Sequence, residues 1–265
     1  YELEFISLQN LKNMFMKQMK FFLVALMAVV MGMSVTSCMK GESESSYDLG
    51  LNATVIDDVM QVCLLGDDGV VYYPNNASVL KGTSGYPERV FVFLKYAEGV
   101  TSASTKKEVS IVQGGGLYTR SICLKPDTIK NDLPLVALTE VGVLDATTVN
   151  YTSVSAYCNV IFSLYLSNSA AIIDLVPVSA AGNELTVKLQ QTIGDDKASN
   201  ASSGYASFKI PSVSQINSVL ASIAAEKGEE ATSLIPSGGK IKIKIVATGK
   251  NGALTPLNTK EVKVN

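Results

Sequence analysis

The residue best placed to do chemistry is Cys38. It closes the run Val35-Thr36-Ser37-Cys38, which has an aliphatic residue three positions before the thiol and a small one directly before it. This is the lipobox pattern. The thiol takes a diacylglycerol, the peptide ahead of it is removed, and the freed amine takes a further acyl chain such as palmitate. Cys38 is therefore the expected lipid-attachment site. Each buried CH₂ contributes about 0.8 kcal/mol, and two or more chains anchor stably. A second modifiable group is Thr128, in Asp127-Thr128-Ile129. Asp-Ser/Thr-aliphatic is an acceptor pattern for periplasmic protein O-glycosylation, and Thr128 lies near a proline and an expected linker, where exposure is usual.

The remaining reactive residue types point away from catalysis. The chain has no histidine. That excludes His-based triads, Cys-His dyads and His-ligated zinc, copper or haem. Cys63, Cys123 and Cys158 are odd in number, widely spaced and without a CxxC pair. One pair could bridge, but small buried apolar residues are the simpler reading of all three. Gly114-Gly115-Gly116 is followed by Leu117-Tyr118-Thr119 rather than by Lys-Ser/Thr and a helix, so a flexible hairpin loop is expected there, not a phosphate cradle. Asp57-Asp58, Asp67-Asp68 and Asp195-Asp196 are acidic pairs in turns. The Asp195 loop, with Asn200, lacks the alternating ligand spacing of a calcium loop, and ordinary turn chemistry screened by water is expected of all three. No Gly-x-Ser-x-Gly elbow and no Ser-x-x-Lys at a helix start is present. Whether distant carboxylates such as Glu140 and Asp174 meet is left to the fold. Lys240, Lys242 and Lys244 form a basic stripe, read either as a solvated sheet face or as a charge-protected edge strand. Tyr72, Tyr73, Tyr86 and Tyr96 either line a ligand groove or pack in the core. The expectation is a non-enzymatic protein with no cofactor and no metal.

The elements that must position these residues begin with an export signal. Lys17 and Lys20 precede an uninterrupted apolar run, Phe21 to Met33, of 13 residues. A membrane-spanning helix needs about 20, and the basic start, short apolar core and small residue before the cut are signal-peptide features. The opening stretch YELEFISLQNLKN reads as translated upstream sequence, with the start at Met14, Met16 or Met19. Residues 1–37 are thus set aside from the fold. Residues 38–47 form a tether, whose Lys-Gly-Glu-Ser-Glu is either an outer-surface sorting signal or a solvated linker.

The processed chain is slightly acidic and low in charge, with abundant Ser, Thr, Val and Gly and no Trp. That composition is β-rich. It carries no basic footprint for nucleic acid, and the missing Trp argues against an aromatic sugar platform. From 48 to 132, short strands are predicted at Leu51–Val55, Val59–Leu65, Val70–Tyr73, Val90–Tyr96, Val109–Gln113 and Leu117–Leu124. Gly66-Asp67-Asp68-Gly69 makes a hairpin turn. Strands of this number and length form a small barrel or sandwich. Asn131 to Leu135 reads as a junction. From 133 to 265, strands are predicted at Val136–Leu144, Ala156–Leu166, Ala171–Val178, Glu184–Thr192 and Tyr205–Ile210, with a polar loop from Gly194 to Gly204. An amphipathic helix over Val213–Lys227 follows, started by a Ser212/Gln215 capping box and stopped by Gly228. Lys240–Thr248 and Asn258–Val264 close the chain as a half-exposed antiparallel pair turned at Gly249–Gly252.

With these segments placed, the chain resembles the NigD-like lipoproteins over nearly the whole processed region. The matching pieces are the lipobox at Cys38, Tyr47-Asp48-Leu49-Gly50 with Ala53-Thr54-Val55, and Leu64 to Gly69 leading to Tyr72-Tyr73-Pro74. Gly85-Tyr86-Pro87 before Arg89-Val90, Asn183 to Val187 leading to Ile193-Gly194-Asp195, and Ala206-Ser207-Phe208 before the helix complete the match. The resemblance implies an all-β protein, with an N-terminal OB-like barrel and a C-terminal β-sandwich carrying one helix. It implies a cell-envelope protein with a role in protection against a bacteriocin or in envelope function. The expected location is the outer membrane, held by the lipid and periplasmic or surface-exposed, and the expected ligand is an envelope protein, peptide or glycan. It carries over no catalytic residues. The alternative is a structural role, as a fimbria-like subunit or a glycan-binding adhesin.

Overall fold

The computed structural model describes residues 47–58, 61–122, 133–166, 172–192 and 200–264. Cys38, Cys123, Thr128 and Asp195-Asp196 lie outside the described residues.

The first half forms a closed barrel. Its strands are β1 (Leu49–Asp57), β2 (Val62–Gly66), β3 (Val71–Pro74), β4 (Arg89–Tyr96) and β5 (Lys107–Gly116). The order around the barrel is β1-β2-β3-β5-β4, closed by β1 against β4, with β3 and β5 parallel. This is the OB-like barrel that the family resemblance implies. Strand alternation sets the interior: along β4, Val90, Val92 and Leu94 are buried with Leu64, Tyr72, Val109 and Ile111. The other β4 positions, Arg89, Phe91, Phe93 and Lys95, face outward.

Gly114-Gly115-Gly116 is not the expected hairpin loop. It is the end of β5, with Val92 opposite Gly114, Phe91 opposite Gly115 and Val90 opposite Gly116. A Cβ at Gly114 would stand 2.8 Å from Val92 Cγ1 and 3.2 Å from the Phe91 carbonyl oxygen. Glycine is needed there for close approach of the two strands, not for flexibility. The segment predicted as a strand at Leu117–Leu124 also departs from expectation. Its described strand, β6 (Thr119–Ser121), leaves the barrel and pairs in parallel with a strand of the second half.

The second half is built from β7 (Leu135–Leu144), β8 (Thr147–Val149), β9 (Thr152–Val154), β10 (Tyr157–Leu166), β11 (Ile172–Ala181), β12 (Glu184–Thr192) and β13 (Asn200–Lys209). Helix α1 (Val213–Lys227), β14 (Lys240–Val246), β15 (Thr248–Gly249), β16 (Gly252–Ala253), β17 (Leu257–Asn258) and β18 (Val262–Lys263) follow. One sheet runs β16-β15-β7-β10-β13-β6; the other runs β11-β12-β14-β17, with β18 also paired to β14. Both sheets bury one side in a common core, which includes Val160, Phe162 and Leu164 from the first and Leu175, Leu185, Val187, Ile241, Ile243 and Ile245 from the second. The Gly194–Gly204 stretch, predicted as a loop, is strand from Asn200 onward.

Helix α1 spans the predicted residues. Ser212 and Gln215 form the capping box, and Gly228 ends the helix in the left-handed conformation, φ 68°. Ile216, Val219 and Leu220 are buried. The Asn217 amide brackets Leu234, donating to its carbonyl at 3.1 Å and accepting from its N–H at 2.7 Å. The path from β12 through β13 and α1 explains why β14 returns parallel to β12, with Leu185 opposite Ile243; parallel neighbours need a long crossover. Strand β14 therefore has neighbours on both sides, and the edge-strand reading of Lys240, Lys242 and Lys244 is corrected. They belong to a solvent-facing side of an interior strand, opposite the buried Ile241, Ile243 and Ile245.

The glycine run gives a direct check. Gly114→Ala should lower stability by about 1–3 kcal/mol, the usual cost of overpacking. Gly115→Ala, whose Cβ would meet nothing within 4 Å, should stay within about 0.5 kcal/mol of wild type. Urea denaturation separates the two; equal tolerance at both positions would return the run to a loop.

Candidate functional site

The charged and polar side chains that the fold brings together meet where the barrel touches the sandwich. Arg89 opens β4 and faces outward, yet it is 0% exposed. Its guanidinium forks onto Asp67, with Nη1 donating to Oδ1 and Nη2 to Oδ2, each at 2.7 Å. Nη1 also donates to Thr54 Oγ1 at 3.0 Å, Nε to Ser207 Oγ at 3.1 Å, and Nη2 to Asn159 Oδ1 at 3.4 Å. A guanidinium has five N–H donors, so all are used. Thr54, Asp67 and Arg89 come from the barrel; Asn159 and Ser207 come from the facing strands β10 and β13. The acceptors are tied in turn: Ser207 Oγ donates to Asn159 Oδ1 at 2.7 Å, and Asn159 Nδ2 donates to Asp67 Oδ2 at 2.9 Å. Tyr157 lays its ring 4.9 Å from the guanidinium carbon, a cation–π contact.

Two further links flank this clamp. Asn52 Nδ2 donates to the Tyr205 hydroxyl at 2.9 Å. The Tyr157 hydroxyl donates to Glu88 Oε1 at 2.7 Å, and Lys209 Nζ to the same oxygen at 2.9 Å. Burial pushes the Tyr157 and Tyr205 hydroxyls to higher pKa, as do the nearby carboxylates of Glu88 and Asp67 respectively. Burial alone would raise the Glu88 carboxyl as well. The hydrogen bonds from Lys209 and Tyr157, with the positive charges of Lys209 and Arg89, outweigh it and hold Glu88 below its ordinary value of 4.5. For Arg89, burial works against the charge, and the bonds and charge of Asp67 more than offset it. The shifts of Glu88, Arg89, Tyr157 and Tyr205 all favour the form each group already has at neutral pH, which is chemistry of attachment. A general acid or base needs a pKa near the working pH and an open side toward substrate.

Asp67 is thus not the water-screened turn acid expected of it. Its neighbour Asp68 is: Oδ1 accepts from the Val70 N–H at 3.0 Å and Oδ2 from the Tyr72 hydroxyl at 2.7 Å. Glu140 is exposed on β7, while Asp174 sits on β11 of the other sheet, paired with Arg120 at 2.8 Å. Cys63 and Cys158 are buried free thiols, as the small-apolar reading expects; burial drives the Cys158 thiol up to about 12.

The tyrosines do not line a groove. Tyr72 is inside the barrel, and Tyr86 and Tyr96 pack against the same core. Tyr73 lies on the outer β2–β3 wall with Ile56, Cys63, Leu65 and Val71, where the β8–β9 hairpin covers it through Val149 and Val154. That wall is the surface through which OB folds commonly take oligomeric ligands. Here the sandwich's own hairpin fills it. The hairpin turns at Asn150 and Tyr151, both with positive φ (48° and 66°), as a two-residue turn of the I′ kind requires.

In the sequence Thr54, Arg89 and Ser207 stand out only as members of the family-resembling segments, and Asn159 not at all; none reads as a site residue. One signal was available: an arginine in phase with outward-facing Phe91 and Phe93, directly before an apolar strand. Its partner could not be read, since Asn159 and Ser207 are ordinary strand residues.

Comparison with known proteins yields fold relatives only. No family model matches the chain, and no curated protein matches it. Among solved structures, a candidate toxin-related protein from Parabacteroides distasonis ATCC 8503 superposes with TM-score 0.51 at 16% identity, over 81% of this chain and 93% of that one. The neighbours also include a candidate lipoprotein from Bacteroides fragilis NCTC 9343 (TM-score 0.48, 12% identity, 82% and 97% covered). A NigD-like immunity protein from Bacteroides caccae ATCC 43185 is a third (TM-score 0.43, 16% identity, 82% and 93% covered).

Two outcomes test the clamp. Arg89→Met leaves the Asp67 carboxylate without its cation and should cost about 3–5 kcal/mol, the usual penalty for breaking a buried pair from one side. Arg89→Met with Asp67→Leu should recover most of that loss in urea melts. Glu88 sets the acid side. Its folded pKa lies below the unfolded one, so its contribution is present above about pH 4.5 and fades as pH falls through the folded value. Glu88→Gln should therefore be less stable than wild type at pH 7, with the difference shrinking progressively as pH falls below 4.5, read as denaturation midpoints across the range.

Proposed function

We propose that this chain is a non-enzymatic envelope lipoprotein of the NigD-like type, anchored through acylated Cys38 and serving as a binding or protective module at the outer membrane. The observation that carries the reading is the saturated clamp. The strongest cluster of ionisable groups among the described residues spends its hydrogen bonds on joining a barrel to a sandwich. An OB-like barrel coupled in this way to a β-sandwich suits a rigid recognition module. The envelope assignment draws on the Val35–Cys38 motif. The bacteriocin-immunity role draws on the NigD-like resemblance. Thr128 is the proposed O-glycosylation site. Partners of this reading are the membrane, through the lipid, and an envelope protein, peptide or glycan; nucleic acid is not among them. The packed β2–β3 wall directs the search for a ligand surface away from the usual OB face.

The test has two arms. Cys38→Ala should abolish labelling by a clickable palmitate analogue and release the protein from membranes; unchanged labelling overturns the anchor. The wild-type protein, screened against glycans, envelope fragments and bacteriocin-like peptides, should show saturable binding without turnover. Product formation that disappears when a single carboxylate is changed to its amide would overturn the non-enzymatic reading.

A further inference from the structure

The outer wall of the barrel carries an aromatic patch that neither the clamp nor the core explains. Beyond Arg89, the outward positions of β4 continue with Phe91, Phe93 and Lys95. Phe91 and Phe93 meet edge to face with centroids 4.9 Å apart at 85°, and Tyr47 lies 4.4 Å from Phe93. The Phe93 ring spreads over Gly50 of β1, where a Cβ would stand 3.1 Å from its Cε1. Glycine at that site lets the ring lie flat on the wall instead of standing off it. Beside them, Ile111 pairs with Leu94 and Gln113 with Phe93, so Val112 is the extra residue of a bulge. Tyr47 is 40% exposed and Val112 46%. Three rings thus meet in a partly exposed apolar cluster on the outer wall, with the exposed Val112 on the neighbouring strand β5 and the exposed Lys95 beside it.

We infer that this patch rests against the headgroup region of the membrane that holds the protein, an inference that rests on the anchored reading above. The point where the chain leaves the barrel selects the occupant. Tyr47 belongs to the patch and follows Cys38 by nine residues. Nine residues span at most about 30 Å, so a lipid at Cys38 keeps the patch within that distance of the bilayer. Tethering makes the contact intramolecular, and at high effective concentration a weak surface suffices. Tyrosine and its aromatic neighbours suit that boundary, where an apolar ring body meets the polar headgroups. The opposite end of the same wall has no such role. From Gly50 to Ile56 the outer face of β1 runs about 20 Å at ~3.3 Å per residue, and Ile56 is covered by the β8–β9 hairpin.

The chain contains no tryptophan, so a single Trp reports its own position. Tyr47→Trp, Val112→Trp and, as the distant control, Tyr151→Trp are made in the full chain. Each is recovered from membranes and reconstituted into phosphatidylethanolamine–phosphatidylglycerol vesicles with plain or brominated acyl chains. The expected result is blue-shifted emission and several-fold stronger bromolipid quenching at positions 47 and 112 than at 151. Two reporters guard against one substitution disturbing the wall. Vesicle-bound protein whose Trp at 47 and 112 is quenched no more than at 151 overturns the membrane contact and leaves the anchor standing. Protein that fails to float with the vesicles overturns the anchored reading, and this inference falls with it.

Discussion

The ion pair between Arg89 and Asp67 is the constraint on which the arrangement of the two β modules depends. A guanidinium with no exposure can exist only where each of its donors finds an acceptor, because an unpaired buried charge costs several kcal/mol. Those acceptors come from the β1 wall, the β2–β3 turn and two strands of the sandwich. Sliding the sandwich by one residue would present the alternate side chains of β10 and β13 to the barrel and strip Arg89 of Asn159 and Ser207. The pair therefore penalises every docking but one, whatever its net worth against an apolar substitute.

The same docking explains what happens on the neighbouring wall. With β10 and β13 placed over Arg89, the β8–β9 hairpin reaches Cys63 and Leu65 and buries them with Val149 and Val154. Asn150 donates to the Cys63 sulfur at 3.9 Å, a long, weak contact consistent with a packing role. A surface that is open in isolated OB barrels becomes interior. The polar clamp and the apolar seal are successive parts of one interface, the first specifying orientation and the second contributing buried area.

Local signals were read well wherever a single segment carried them. The helix was legible because its capping box, its three-and-four spacing and its terminal glycine all lie within seventeen residues, Ser212 to Gly228. The Asp-Gly turn and the alternating Ile-Lys strand were legible for the same reason. The glycine run misled, because glycine serves loops and close-packed strands alike, and only the facing Val92 and Phe91 distinguish them. The Lys stripe showed its solvated face but not its neighbours.

Taken alone, the amino-acid sequence determined the β-rich class, the helix and its caps, and the absence of any histidine-based chemistry. Each follows from composition or from contacts between residues close in the chain. The tertiary structure decided that β3 pairs with β5, that β6 joins the second sheet, and that Arg89 meets residues 70 and 118 positions away. It also decided that the OB ligand wall is covered and that Tyr47 joins Phe91 and Phe93 on an open face. Such choices depend on shape, charge and burial matching across long loops, and one residue's type carries no record of which distant surface it will meet.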